Sequence, residues 1–139
     1  MSVKLIKSET LQFGTHGFEY INLPADRSTY LDTIKVAKIV DSKTFSEAHF
    51  GMTLEKPHSG PPFKHRFDYD EAGYILSGGP LRVTWEGKTL EAYPGDFIIF
   101  QKGTEVIMHA VNDFTFISVH FPPLDLLIKA REHKYGLKK

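Results

Sequence analysis

The chain contains no cysteine. That excludes a disulfide framework, a thiol nucleophile and a thiolate metal site together. It also lacks an excess of either charge, with 17 Lys and Arg against 17 Asp and Glu. A neutral balance gives no electrostatic footprint for nucleic acid or an acidic membrane surface, so neither is expected as a partner. No segment approaches the ~20 apolar residues needed to cross a bilayer. The opening stretch MSVKLIKSETLQF has no long apolar region of the secretory kind, which makes a cytoplasmic location the expectation. Internal repeats and low-complexity tracts are absent too.

What the chain does have is apolar and aromatic: 41% hydrophobic residues, with 11 Phe and 6 Tyr among 139 residues. That suits one domain around one core. The expected organisation is N-terminal strands over about 1–45, a barrel over about 46–123 and a helix over about 124–135. DTIKVAKIV (32–40) is rich in β-branched residues and reads as a strand. In SEAHFGMTLE (46–55) Ala48, Phe50, Met52 and Leu54 recur at period two, which marks a half-buried strand with those four on the core face. KPHSGPPFKH (56–65) is a loop, since three prolines cannot sit inside a ladder. Beyond it, short strand-like pieces alternate with turn signals at 78–80, 86–88, 94–96, 102–103, 112–113 and 122–123. Even spacing of this kind predicts an antiparallel sandwich or barrel of about ten strands. LDLLIKAREHKYG is the one convincing helix, with Leu124, Leu127, Ile128 and Arg131 on one face, packed on the barrel's outside or on a partner.

Two motif skeletons lie inside the barrel. Gly60, four residues, His65, Arg66, Phe67, three residues, Glu71, six residues and Gly78 follow the order G-x5-H-x-H-x3,4-E-x6-G with one residue fewer at the start. Gly95, five residues, Gln101, Lys102, Gly103, two residues and Val106 follow G-x5-P-x-G-x2-H-x3-N. These residues resemble the cupins of the RmlC-like superfamily. YDEAGYILSGGPLRVTWEGKTLEAYPGDFIIFQKGTEV is similar to the cupin domain of ethanolamine-utilisation proteins of the EutQ type. The resemblance spans most of residues 46–123 and implies an all-β jelly roll: two antiparallel sheets forming one barrel, with a short C-terminal helix. It also implies a small-molecule ligand inside the barrel and frequent homodimers.

At the family's four metal-ligand positions only His65 and Glu71 keep a donor; Phe67 and Val106 replace histidines. Two donors are fewer than zinc or iron sites use. The expectation is therefore no metal cofactor, with His65 and Glu71 as the only weak candidate ligands.

Strand parity organises the remaining candidates. If His65 faces inward, so do Phe67 and Tyr69. Glu71, Gly73, Ile75 and Ser77 then share one face, and Val106, Met108 and Ala110 another. Glu71 in an apolar interior gains a raised pKa suited to general acid or base work, with His65 and Tyr69 assisting. Phe67, His49, Arg82, Val106 and Met108 are candidate substrate contacts; Arg82 would clamp a carboxylate if it faced inward. For each the plainer alternative is a core aromatic, a solvated cation or a surface histidine. The acids Asp68, Asp70 and Glu71 are expected to repel one another if crowded.

Three functions fit this pattern. The first is a metal-independent isomerase, dehydratase or lyase acting on a small polar or aromatic metabolite. The second is a non-enzymatic binding or accessory cupin of the ethanolamine-utilisation type. The third is a metal-dependent oxygenase or lyase.

Overall fold

The protein's structure, a computed structural model, describes residues 3–16 and 30–135. The described residues form nine strands: β1 (Val36–Val40), β2 (Gly51–Glu55), β3 (Phe63–Arg66), β4 (Asp70–Gly78), β5 (Leu81–Trp85), β6 (Lys88–Ala92), β7 (Phe97–Phe100), β8 (Glu105–Ala110) and β9 (Phe114–Phe121). One helix follows, α1 (Leu124–Tyr135). Every pairing is antiparallel. The strands make two sheets in the orders β1-β2-β9-β4-β7 and β3-β8-β5-β6. This is the cupin jelly roll that the turn spacing and motif skeletons predict.

Turn chemistry sets the connections. Glu86 and Gly87 both hold positive φ (49° and 74°) in the two-residue β5–β6 hairpin, the twist that matches paired strands. Gly78 has φ 75°, and a Cβ there would stand 1.9 Å from the Asp113 carbonyl oxygen, so a side chain is excluded twice over.

Between the sheets lies the core, built from Ile75, Leu81, Val83, Val106, Phe67 and Phe116, each no more than 3% exposed. Phe67, just past β3, stacks on Phe100 of β7 with ring centroids 4.3 Å apart, an aromatic contact that bridges the two sides of the barrel. Burying one such ring stabilises the fold by roughly 1.5–3 kcal/mol.

Several boundaries differ from the pattern reading. The first strand begins only at Val36, because Leu31–Thr33 turns as a 3-10 helix. The second begins at Gly51, and its inward set is Gly51, Thr53 and Glu55 rather than Met52 and Leu54. Met52 and Leu54 sit on the outer face opposite Val119 and Ile117, where apolar residues also line up. Ala48 lies before the strand and is exposed, and Phe50 is half-buried. Of the strands expected within 1–45, only β1 is present among the described residues, and part of that stretch lies outside them.

The three neighbouring acids do not crowd. Asp68 pairs with Arg131, Asp70 accepts the Lys102 backbone N–H, and Glu71 turns inward. Helix α1 buries Leu124, Leu127, Ile128 and Arg131 against its own barrel. Leu124 and Leu127 reach the space between the sheets, while Leu126, Lys129 and Ala130 on the other face stay exposed. Arg131 to Asp68 at 2.8 Å and Asp125 to Ser42 tie it down.

Candidate functional site

The two sheets enclose a cavity of about 50 Å³. That is space for several water molecules or a small ligand. Its walls differ. The four-stranded sheet presents mostly apolar groups, among them Phe63, Leu81, Met108 and Ala110. The five-stranded sheet presents a polar grid.

The grid follows from register. Gly51, His120 and Glu71 lie directly opposite one another across β2, β9 and β4; Thr53, Ser118 and Gly73 form the next row. Directly opposed side chains on one face have Cβ atoms about 5 Å apart. Thr53 and Ser118 satisfy each other through a 2.8 Å hydroxyl hydrogen bond. Gly73 carries no side chain because the Phe116 ring occupies that space; a Cβ there would stand 1.8 Å from Phe116 Cζ.

His120 is 3% exposed. Its Nδ1–H donates to the Pro122 carbonyl at 3.1 Å, a bond that assigns the proton to Nδ1 and leaves Nε2 as a bare acceptor. Among the described residues Nε2 has no hydrogen-bond partner. Burial lowers the imidazole's pKa, so the ring is neutral at neutral pH. Gly51 makes room for it, since a Cβ there would meet His120 Cε1 at 2.6 Å and the Pro123 backbone at 2.9 Å.

Opposite stands Glu71. Burial first, and the charge of Glu55 second, push its carboxyl up to about 8. At neutral pH it therefore carries a proton. A protonated carboxyl and an unprotonated imidazole nitrogen face one cavity from neighbouring strands, which is an acid beside a base.

His65 and Tyr69 face the cavity as parity predicts, but they engage each other: His65 Nε2 and the Tyr69 hydroxyl are 3.0 Å apart. Burial, then the Arg131 charge, pushes His65 down to about 3. Burial, then the Glu71 charge, raises the Tyr69 phenol. Both are neutral, and Phe67 meets His65 edge-on with centroids 4.4 Å apart.

A second polar group sits two rows from Glu71. Glu55 Oε1 accepts the His58 Nε2–H at 2.6 Å, and His58 Nδ1 accepts the Tyr30 hydroxyl. Burial, then Glu55, raises the Tyr30 phenol. Glu55 and His58 line the cavity.

Of the sequence-expected residues, Glu71, His65, Tyr69, Phe67 and Met108 line this cavity. Three others do not. His49 lies before β2, is largely exposed and pairs with Glu47. Arg82 points outward from β5 and pairs with Glu91 across β6 at 2.8 Å, so no carboxylate clamp exists there. Val106 is buried, yet it lines a separate void with Val83 and Phe100.

Sequence reasoning missed His120, Glu55, His58 and Tyr30. In FTFISVHF both parities are apolar, so only the pairing of His120 with Glu71 marks it. Assigning Met52 and Leu54 inward turned Glu55 the wrong way.

The cupin motifs imply a metal, and the residues do not fit one. The family's four ligand positions hold two donors, and among the described residues no group of three or more His, Asp or Glu converges as a metal would need.

The family model described as ethanolamine utilisation protein EutQ matches residues 7–124. No curated sequence matches the chain. Among solved structures, an ethanolamine utilization protein Q of Salmonella typhimurium LT2 aligns at 21% identity and TM-score 0.65, covering 87% of each chain. The Clostridium difficile EutQ protein aligns at 20% identity and TM-score 0.56, over 73% of this chain and 79% of that one. An RmlC-like cupin from Shewanella frigidimarina aligns at 10% identity and TM-score 0.61, over 89% and 95%. At these identities the structural likeness establishes the fold. Among the described residues no helix is long and apolar enough to cross a membrane.

Proposed function

The chain belongs to the EutQ family of ethanolamine utilisation proteins, and on that premise we propose that it is a small-molecule cupin enzyme working by acid–base proton transfer without a metal. The observation that carries this is the Glu71–His120 pair, directly opposed on the inner face of the five-stranded sheet and lining the cavity. In one turnover His120 Nε2 accepts a proton from a substrate carbon while Glu71 gives its own to an adjacent carbonyl or leaving oxygen. In an isomerisation the enediol so formed gives its other hydroxyl proton to Glu71 while His120 protonates the former carbonyl carbon. In an elimination the oxygen leaves as water or alcohol and His120 hands its proton back to Glu71. Either way both groups end as they began. His65 and Tyr69, both neutral, hold the wall beside Glu71 and take no part in the proton transfer.

The test is carbon–deuterium exchange. The protein is incubated in D2O with a panel of small carbonyl and hydroxy compounds and followed by proton NMR. Exchange is expected with at least one compound, and Glu71→Gln or His120→Asn should each slow it about 10²–10⁴-fold. No exchange by the native protein, or full exchange by both variants, overturns the reading.

The family membership favours a second reading, a non-enzymatic accessory cupin of ethanolamine utilisation in the cytoplasm. Saturable binding with no exchange across the panel would select it. Under either reading we propose a homodimer formed through the outer face at β4 and β7. Phe97 and Ile99 are 75% and 65% exposed there, beside Tyr74. A second copy of the same sheet would cover them. Light scattering that finds a monomer at micromolar concentration removes this part alone.

A further inference from the structure

We propose that helix α1 is a lid: it closes the Glu71–His120 end of the cavity, is latched at Ser42 and Asp68, and swings about Pro122 and Pro123 to admit a ligand. This adds a means of entry to the proton-transfer reading and rests on it only for the effect on turnover, since entry is measured separately.

The helix forms part of the cavity's wall. Leu124 and Leu127 line the space together with His120 and Glu71. α1 starts beside the row of Gly51, His120 and Glu71. A Cβ on Gly51 would meet His120 Cε1 at 2.6 Å and the Pro123 backbone at 2.9 Å. Farther along, Arg131 reaches Asp68, which lies between β3 and β4, three residues before Glu71. One helix therefore spans this row from the β2 side to the β4 side. A lid that shuts over a reacting pair keeps water from it.

Its attachment differs from that of the other walls. The strands are joined by ladders of backbone hydrogen bonds. The helix is seated by the side chains of Leu124, Leu127, Ile128 and Arg131, while Leu126, Lys129 and Ala130 are exposed. A laddered wall opens only as its sheet comes apart, whereas an element seated by a few side chains opens locally at lower free energy. Two polar ties oppose that opening. Arg131 Nη2 meets Asp68 Oδ1 at 2.8 Å, and Asp125 accepts both the Ser42 backbone N–H, at 3.1 Å, and the Ser42 hydroxyl. Both ties run to connections between strands, Ser42 following β1 and Asp68 preceding β4. The joint, by contrast, is fixed. Pro123 is fully buried, and the Pro122 carbonyl accepts the His120 Nδ1–H at 3.1 Å. Opening thus swings Leu127 and Arg131 away and leaves His120 in its place.

The experiment reads entry with a thiol. The chain has no cysteine, so Ser118→Cys puts a single thiol in the cavity wall, at a residue 3% exposed. Methyl methanethiosulfonate labels it, and mass spectrometry of the full chain follows the rate. Labelling is expected without global unfolding, at a rate that changes little at low urea. In that background Ser42→Ala and Asp68→Asn each take one charge-assisted hydrogen bond from the latch and should speed labelling about tenfold. Arg82→Ala, which breaks an exposed pair elsewhere, should leave the rate unchanged. Thr53→Cys, on the same wall, carries the thiol if Ser118→Cys does not fold. Labelling that keeps the rate and urea dependence of global unfolding overturns the proposal, as does a rate that neither latch variant alters. Faster labelling in Tyr30→Phe but not in the latch variants would put the entrance at the His58 end, and overturns it equally. Lid opening without carbon–deuterium exchange would leave this inference standing and sink the enzymatic reading instead.

Discussion

The two walls of the cavity come from one chain and one fold, yet they are chemically opposite. The five-stranded sheet contributes Glu55, Thr53, Ser118, His120 and Glu71; the four-stranded sheet contributes His65 and otherwise apolar groups. Two of the four metal-ligand positions of the cupin motifs, residues 65 and 106, fall on that four-stranded sheet, and one of them is now valine. The dry wall is thus where two of the family's histidines would stand. Of the wet wall's polar groups only Glu71 stands at a motif position; Glu55, Thr53, Ser118 and His120 are named by no motif. Reactive chemistry can leave a motif while the barrel around it persists.

The largest effect expected from this contrast is catalytic. Glu71→Gln or His120→Asn should remove about 10²–10⁴-fold of the exchange rate while leaving the fold intact, whereas Met108→Leu on the dry wall should leave it nearly unchanged. A stronger loss from the dry-wall change would reverse the assignment of the two walls.

Next in size is stability. Phe67→Ala opens a hole beside Phe100 and should cost about 3–5 kcal/mol in denaturant unfolding. The ring joins the two walls, so loss well below this range would mean they are held chiefly by other contacts.

The pH dependence separates the walls by sign. Glu71, on the wet wall, has its folded pKa raised from 4.5 to about 8, so the folded state holds a proton that the unfolded state has released. Its stabilising contribution is complete below about 4.5 and is lost as pH rises toward 8. His65, on the dry wall, is lowered from 6.5 to about 3, so the unfolded state binds the extra proton. Stability from His65 is gained as pH rises from 3 to 6.5. Chemical denaturation should therefore show a plateau between about pH 4.5 and 6.5, with a fall on either side. Glu71→Gln should flatten the alkaline fall and leave the acid limb, and an unaltered alkaline limb would show that Glu71 does not cause it. Exchange activity should likewise fall above about pH 8 as the carboxyl loses its proton.

The smallest effect lies outside both walls. Arg82→Ala breaks an exposed pair with Glu91 and should change neither the melting temperature nor the exchange rate measurably. A clear loss of activity would return Arg82 to the site.

Legibility in the sequence followed the same division. Turn residues and motif spacing gave the barrel, the strand succession after residue 62 and the tail helix, because glycine, proline and period-two patterns act locally. Motif spacing placed Glu71 inward, and parity placed Met108 and Ala110 there, since β8 has one clearly apolar face. It failed at β2, where Met52 and Leu54 face an outer surface that is itself apolar, so the alternation pointed to the wrong side. It was silent on His120, because β9 is apolar on both faces. Tyr30 and His58 meet across 28 residues through a loop that carries no periodicity at all. Pairing register, which creates the Glu71–His120 opposition, is a property of two strands and cannot be read from either alone.

Gly73 and Phe116 form a two-position lock on what the barrel can hold. The ring fills the space that a side chain at 73 would need, so the two positions are expected to change together. Gly73→Ala alone forces the ring aside and is destabilising, by about 1–3 kcal/mol. Paired with Phe116→Leu, the clash is relieved and part of the loss returns, a coupling that a double-mutant cycle reads directly. The paired variant also exchanges an aromatic surface for a smaller aliphatic one beside the Glu55 end, which makes this pair a handle for admitting bulkier ligands without touching a single polar group of the site.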